Sequence, residues 1–173
     1  QLAEIDAAIA AGAGSHPLLL TGMLLTSVGL LFKIGAVPFH AWTPDVYMGA
    51  PTPVTGFMAV ATKTAAVAAL LRIFYVALGG LRWDWQLLFA VVAVLTMLLG
   101  ATVALAQNDI KRLLAYSSIA HAGFILVGVV GAVQAGDDVS ISSVGAIGFY
   151  LLTYGVATLG GFAIITMVRR SGG

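Results

Sequence analysis

Long apolar segments, interrupted only by short polar stretches, run through this 173-residue sequence from about residue 17 to residue 170. Hydrophobic residues make up 60% of the chain and charged residues only 9%, whereas soluble domains usually carry about 25% charged residues. A globular fold could not cover so much apolar surface, so a lipid bilayer is the expected solvent. We therefore predict an all-α, polytopic transmembrane helical bundle, in which each helix satisfies its own backbone hydrogen bonds.

The polar stretches divide the sequence into about five predicted spans, of which the first is discontinuous. Residues 1–16 contain Glu4 and Asp6, which indicates an extramembrane loop or surface helix, and residues 17–173 are expected to form part of one transmembrane domain. Residues 17–48 are too many for one untilted span of about 20 residues, and the stretch from Gly35 to Pro38 is the natural break. The remaining spans are expected at about residues 53–78, 85–106, 113–133 and 144–168.

Residues that flank the spans predict the orientation of the bundle. Basic residues collect at one end, at positions Lys111, Arg112, Arg169 and Arg170. By the positive-inside rule this end is cytoplasmic, and it includes the turn at residues 49–53. Trp83 and Trp85 begin the third span at the opposite end, where they are expected to form an interfacial aromatic belt.

Several classes of function are disfavoured by residue types that the sequence lacks or scatters. There is no cysteine, which removes disulfides, thiolate metal sites and iron–sulfur ligation. The three histidines, His16, His40 and His121, are too far apart in sequence to indicate a metal cluster. No glycine-rich phosphate loop or basic nucleic-acid face is present. We therefore expect no cofactor, metal or nucleic acid to be bound by this chain.

Lys63 is the strongest candidate for a functional residue. It lies about ten residues into its span, roughly 15 Å from the nearer end at 1.5 Å per residue. An ammonium at that depth costs about 2.5–3.5 kcal/mol unless protein or water compensates it. Its helical face is mostly small residues, and Thr62 and Thr64 flank it. The alternative is a lysine that snorkels to the interface, but its side chain covers only part of that distance.

Lys33 has two interpretations that the sequence leaves open. If the first helix ended at Phe32, Lys33 would be an ordinary interfacial anchor. If residues 37–48 continue through the membrane, Lys33 lies at the carboxyl end of a half-helix, where the dipole favours a cation. A desolvated lysine can exchange its proton, whereas an arginine stays charged. His40 and Asp45, near the break, could guide proton entry or merely mark the interface.

A third polar group lies on the predicted fourth span. His121 shares a helical face with Ser117 and Ser118, so the three could form a proton-conducting step or simply bond a neighbouring backbone. On the fifth span, Tyr150 and Tyr154 recur at helical spacing, and there packing is the favoured interpretation.

Two stretches of the sequence resemble a known family. These are LLFKIGAVPFHAWTPDVYMGAPTPVTGFMAVATKTAAVAALLRIF at residues 30–74 and DIKRLLAYSSIAHAGFILVG at residues 109–128. Both are similar to the antiporter-like membrane subunits of proton-pumping NADH:quinone oxidoreductase, respiratory complex I, and PFHAWTPDVYMGAPTPVTGFM most resembles their N-type branch. The resemblance covers residues 17–170 and implies that the chain is a fragment spanning helices seven to eleven of a fourteen-helix pattern.

The resemblance implies a proton relay through Lys33, Lys63 and His121, in which Lys33 matches the lysine of the broken seventh helix and Lys63 that of the eighth. It also implies a glutamate partner outside this chain, other complex I subunits as partners, and a bacterial cytoplasmic membrane as location. NADH, FMN, iron–sulfur clusters and quinone would be bound by those partners. Two alternatives stay open: a subunit of a multisubunit cation/proton antiporter or membrane-bound hydrogenase, and a purely structural membrane scaffold.

Overall fold

The structure, a computed structural model, describes residues 2–12, 16–132 and 141–171, with only the backbone described at residues 16, 141–142 and 169–171. Within these ranges it is helical and contains no strand, which confirms the predicted all-α class. The α-helices are α1 Leu2–Ala10, α2 His16–Ile34, α3 Trp42–Gly49, α4 Thr52–Arg72, α5 Arg82–Leu105, α6 Ile110–Gly131 and α7 Ile141–Ser171. A π-helical turn, Ile73–Ala77, extends α4, and a 3-10 turn, Gly79–Leu81, precedes α5.

Five segments of the described chain are long and apolar enough to cross a membrane, as predicted. They are Pro17–Ile34, Thr52–Ala77, Gly79–Leu105, Ile110–Gly131 and Ser143–Val168. The turn at residues 49–53 and the start of α6 lie at the same end of the bundle, because Lys111 Nζ donates to the Ala50 carbonyl at 3.0 Å. That this end is cytoplasmic stays a prediction.

The amino-terminal segment packs at the other end of the bundle. Helix α1 contacts the π-helical and 3-10 turns, and Asp6 Oδ1 accepts a hydrogen bond from the Gly80 backbone N–H at 3.1 Å. No residue of α1 is buried. Residues 1 and 13–15 of the predicted extramembrane segment lie outside the described residues, and its place outside the membrane stays a prediction.

The predicted break in the first span is confirmed. Helix α2 ends at Ile34, and Gly35 follows with φ of 79°, a left-handed conformation that glycine adopts without strain. A Cβ at Gly35 would lie only 2.7 Å from Thr43 Oγ1, so the position also needs glycine for space. The indole N–H of Trp42 donates to the Phe32 carbonyl at 2.9 Å and thereby satisfies one of the carbonyls that the helix end exposes.

The prediction that Trp85 belongs to an interfacial aromatic belt is wrong. Trp83 is 80% exposed and fits such a belt, but Trp85 is 0% exposed. The Trp85 ring packs edge-on against Phe74 at 5.7 Å between centroids, and its indole N–H donates to the Leu78 carbonyl at 3.1 Å. Residues two positions apart on a helix point about 200° apart around its axis, so Trp83 and Trp85 cannot both face the same surroundings.

Helices α5 and α6 pack closely because glycines remove the side chains between their backbones. A Cβ at Gly100 would lie 2.5 Å from the Ala120 backbone nitrogen, and one at Gly123 would lie 2.8 Å from the Met97 backbone nitrogen. Small residues that allow such close approach are typical of helix contacts in membranes.

Gly100→Ala is therefore expected to destabilise the protein, although alanine is the better helix former by about 1 kcal/mol. The added methyl group meets backbone rather than a flexible side chain, and overpacking of this kind costs about 1–3 kcal/mol or more. Thermal unfolding of the purified full-length protein in detergent measures the effect. Gly29→Ala is the matched control, since nothing lies within 4 Å of a Cβ there. Equal melting temperatures for the two variants would contradict the prediction.

Candidate functional site

Lys63 lies in the middle of its span and is buried by the surrounding helices. It is the twelfth of the 26 residues of Thr52–Ala77, and its side chain is only 4% exposed. Its Nζ donates to the Ser118 carbonyl and, at 2.8 Å, to Ser118 Oγ. Among the described residues it has no acidic partner, so the amine is held by dipoles and not by a counter-ion.

Ser118 Oγ is the centre of a hydrogen-bonded group that we call the Ser118 cluster: Lys63, Ser118, Tyr47 and Tyr154. Tyr154 OH donates to Ser118 Oγ at 2.8 Å, and Tyr47 OH lies 3.2 Å from the same oxygen. A serine hydroxyl has two acceptor lone pairs and one proton. With Lys63 and Tyr154 both donating, the Ser118 proton is directed to the Tyr47 oxygen, and the hydroxyl is then fully satisfied.

Small residues at the helix contacts bring the cluster together. Gly56 of α4 lies against Phe162 of α7, where a Cβ would be 3.1 Å from the Phe162 Cβ. Gly155 of α7, next to Tyr154, lies against Val60 in the same way at 3.0 Å. These two contacts place α7 directly beside α4, which is why Tyr154 reaches the cluster. The small face predicted around Lys63 is confirmed, since Gly56, Ala59 and Ala66 are all buried.

His121 forms a second polar pair one turn along α6 from Ser118. Its Nδ1 lies 2.6 Å from Tyr150 OH, and its ring centroid lies 5.0 Å from that of Tyr154. A cavity of about 160 Å³, which we call the inner cavity, connects this pair to the cluster. It is lined by Leu114, Ser117, Ser118, His121, Tyr154, Ala157 and Thr158.

Lys33 occupies a different environment from Lys63. It lies in the last turn of α2, at the carboxyl end of the half-helix as predicted, but its side chain is exposed on the described chain. Among the described residues, burial is therefore found at Lys63 and not at Lys33. Lys33 lines a cavity of about 270 Å³ together with Phe32, Trp42, Met58 and Thr62.

Apart from Ser118, the supporting polar residues predicted from the sequence form none of the described hydrogen bonds to Lys63. Thr62 and Thr64 donate to carbonyls of their own helix, at 2.6 Å and 2.9 Å. Asp45 is exposed, and the half-buried His40 has an Nδ1 that finds no partner among the described atoms. Ser117 lines the inner cavity.

Sequence reasoning missed the tyrosines. Packing is the role that the sequence favours for Tyr150 and Tyr154, yet both hydroxyls form hydrogen bonds at the site. The Tyr47 hydroxyl, on the short helix α3, does so as well, although no periodic pattern in the sequence indicates it. A usable signal existed, because a phenol hydroxyl at membrane depth needs a polar partner.

Comparison with known proteins identifies the family. A family model described as NADH:quinone oxidoreductase/Mrp antiporter, TM, matches residues 1–172. A NADH-quinone oxidoreductase subunit N from a Nocardioides species is 57% identical over 173 residues, covering 99% of this chain and 32% of that protein. The protein of the same name from Rhodococcus opacus is 59% identical over 172 residues, covering 99% of this chain and 31% of its own length.

Solved structures agree in fold. A chain of respiratory complex I from Thermus thermophilus with bound aureothin superposes with a TM-score of 0.66 at 45% identity, covering 88% of this chain and 31% of that chain. The Mrp complex from a Dietzia species gives a TM-score of 0.77 at 24% identity, covering 95% of this chain and 29% of that one, and so shows the fold alone. The present chain spans about a third of the length of these relatives. It is a multi-pass bacterial membrane protein, and it belongs to the NADH:quinone oxidoreductase/Mrp antiporter family.

Proposed function

We propose that this chain is a segment of subunit N of a bacterial proton-pumping NADH:quinone oxidoreductase and that it carries part of the proton path through the membrane. The observation that supports this most directly is Lys63, a buried amine at mid-membrane depth held by Ser118 without an acidic partner among the described residues. The 57–59% identity to proteins named subunit N favours this assignment over an Mrp antiporter, for which identity is 24%.

Lys63 suits proton transfer because neutral acceptors hold its amine in place without an opposite charge to keep it protonated. Two of the three ammonium protons of Lys63 are bonded to Ser118, so the charged form is tolerated. Neither acceptor is a carboxylate, so no opposite charge among the described residues keeps the proton on the amine. A change in the charge of neighbouring groups can then load or unload Lys63, as a pump with two states requires.

The path from Lys63 leads along α6. The Ser118 hydroxyl would accept a proton from Lys63 once its own O–H has turned from Tyr47 to water in the inner cavity, which takes that proton; His121 lines the same cavity. At about 30 Å³ per water the inner cavity has room for roughly five molecules, and its serine, threonine, tyrosine and histidine lining supplies the polar partners that water needs. Protons would pass from Ser118 to His121 through this water.

Lys33 is placed to load Lys63 from the other side. It shares its cavity with Thr62, the residue before Lys63, so water that extends from this cavity between α2 and α4 would link the two amines. An acidic residue of the remaining subunit would set the charge of Lys33. NADH, FMN, iron–sulfur clusters and quinone would be bound by other complex I subunits, and neighbouring antiporter-like subunits would pack beside this one in the cytoplasmic membrane.

The proposed function is tested on the complex that contains the full-length protein, purified and reconstituted into vesicles. We expect flavin and iron–sulfur signals in the preparation and proton uptake driven by NADH oxidation. A complex without these signals that exchanges Na⁺ for H⁺ without NADH would contradict the proposal and establish the antiporter alternative.

Lys33→Ala in the same complex is expected to lower NADH-driven proton translocation several-fold without loss of assembly. The effect is partial because the cavity of about 270 Å³ that Lys33 lines has room for water, which can carry a proton in place of the amine. Initial rates of vesicle acidification, normalised to complex content, measure the change. Unchanged rates would remove Lys33 from the path.

A further inference from the structure

A second cavity lies beyond His121 on the same helix pair. This outer cavity, of about 330 Å³, is formed by α6 and α7 toward the end opposite the turn at residues 49–53. It is lined by Phe124, Ile125, Gly128, Gly131, Ser143, Ala146, Ile147 and Tyr150. The inner cavity is lined by residues 114–121 of α6 and 154–158 of α7, so the two cavities follow one another along the seam.

The His121–Tyr150 pair stands between the two cavities. His121 lines the inner cavity and Tyr150 lines the outer one, and the 2.6 Å hydrogen bond between Nδ1 and OH joins them. That distance is at the short end for a hydrogen bond, so proton exchange between the two atoms needs no intervening water. The imidazole has two nitrogens, and while Nδ1 is bonded to the Tyr150 hydroxyl, Nε2 can exchange a proton with the inner cavity.

The outer cavity depends on Tyr150 for its polarity. Its lining is mostly apolar, and the two hydroxyls on it belong to Ser143 and Tyr150. Apolar cavities stay dry, whereas hydroxyls can anchor water. Without the Tyr150 hydroxyl, the end of the cavity next to His121 would be lined by hydrocarbon alone.

We propose that the Tyr150 hydroxyl carries protons between His121 and the outer cavity. This rests on the proposed function, in which His121 receives a proton at Nε2 from the inner cavity. The Nδ1–H bond of the resulting imidazolium then breaks as its proton bonds to the Tyr150 oxygen, while the original O–H proton leaves to water in the outer cavity. Tyr150 is neutral before and after, and one proton has crossed. His121 starts with its proton on Nδ1 and ends neutral with its proton on Nε2, so the imidazole must change tautomer before it accepts the next proton.

Tyr150→Phe in the full-length subunit of the assembled complex tests this, because it removes the hydroxyl and keeps the ring. Loss of a proton-transfer group typically costs about 10²–10⁴-fold, and we expect NADH-driven proton translocation to fall by at least about tenfold. Tyr116→Phe, at a half-buried tyrosine of α6 outside both cavities, is the matched control. Normal translocation by Tyr150→Phe would overturn the proposal.

A second variant separates proton transfer from simple positioning of His121. Incorporation of 3,5-difluorotyrosine at position 150 keeps the hydroxyl in place but makes the phenol more acidic. A group that carries the proton would change the translocation rate and its D₂O isotope effect, and a group that only orients the imidazole would leave both unchanged. Unchanged values would overturn the proposal even if Tyr150→Phe were inactive.

The failure of this inference is distinguishable from failure of the proposed function. If Lys63→Met and His121→Gln stop translocation while Tyr150→Phe does not, the relay stands and only the role of Tyr150 is wrong. If Lys63→Met and His121→Gln translocate protons normally, the proposed function fails, and the inference fails with it.

Discussion

Replacing Lys63 by methionine is expected to reduce NADH-driven proton translocation at least about a hundredfold, since it removes the only titratable group in the Ser118 cluster that can hold a positive charge. Methionine has a similar length and fits the buried space. The complex should remain assembled and keep or gain stability, because a buried ammonium costs about 2.5–3.5 kcal/mol to place at mid-membrane depth. Proton uptake into vesicles, normalised to complex content, measures the loss.

Two further variants test whether the effect requires a titratable amine rather than a positive charge or helix packing. Lys63→Arg keeps a positive charge, but the guanidinium does not release its proton, so this variant should also fail. Arg72→Met removes an exposed cation from the last turn of the same helix and should translocate protons normally. A Lys63→Met complex that pumps at the normal ratio would instead support the structural scaffold.

The sequence predicted those features of the fold that depend on the solvent and on local backbone chemistry. Five apolar segments must be helices in a bilayer, because no other structure there satisfies the backbone of a single segment. The break was predictable from Gly35 and Pro38, since the first adopts a left-handed conformation and the second lacks a backbone donor. Lys63 was predictable from depth alone, because a charge in hydrocarbon is costly wherever its partners lie.

The other members of the Ser118 cluster could not be assigned to Lys63 from the sequence, because they come from three other helices. Ser118 Oγ lies 2.8 Å from Lys63 Nζ and 2.8 Å from Tyr154 OH, although Ser118 is 55 residues from Lys63 and 36 residues from Tyr154 in the sequence. Tyr47 is 71 residues from Ser118. The packing of α3 on α6 decides whether Tyr47 meets Ser118, and the position of α4 beside α6 decides whether Lys63 does. The close contacts between α4 and α7 at Gly56 and Gly155 decide whether Tyr154 reaches the cluster. The sequence contains these glycines but does not specify the register between α4 and α7, and many registers satisfy the same apolar pattern.

The exposure of Lys33 has the same kind of cause. A position at the carboxyl end of a half-helix could be read from the sequence, but which face of that helix is covered is decided by tertiary packing. The described helices leave the Lys33 side uncovered and bury the Lys63 side. Among the described residues, one amine is thus buried and hydrogen-bonded, and the other is exposed.

Ser118→Ala is expected to lower both stability and proton translocation. The substitution takes the acceptor from Lys63 and Tyr154 together, and each buried group left without a partner costs about 1–3 kcal/mol. Lys63 keeps the backbone carbonyl of residue 118, so the loss of stability should be near the lower end of that range. Translocation should fall by at least about tenfold, because the hydroxyl that links Lys63 to the inner cavity is gone.

Ser27→Ala is the matched control for this prediction. Ser27 is also buried in a membrane helix, but its hydroxyl donates at 2.8 Å to the Met23 carbonyl one turn earlier, so its removal leaves no buried side chain without a partner. The melting temperature and translocation rate of this variant should stay close to those of the native protein.

The combination of Ser118→Ala with Lys63→Met identifies the cause of the destabilisation. If Ser118 stabilises the fold chiefly by accepting from the ammonium, Ser118→Ala should cost less in the methionine background than in the native protein, because no buried charge then remains to be satisfied. Equal costs in both backgrounds would show that the tyrosines, and not Lys63, depend on the serine. The Lys63 step of the proton path would then have to run through the backbone carbonyl, which has no proton to pass on, and the proposed path along α6 would be wrong.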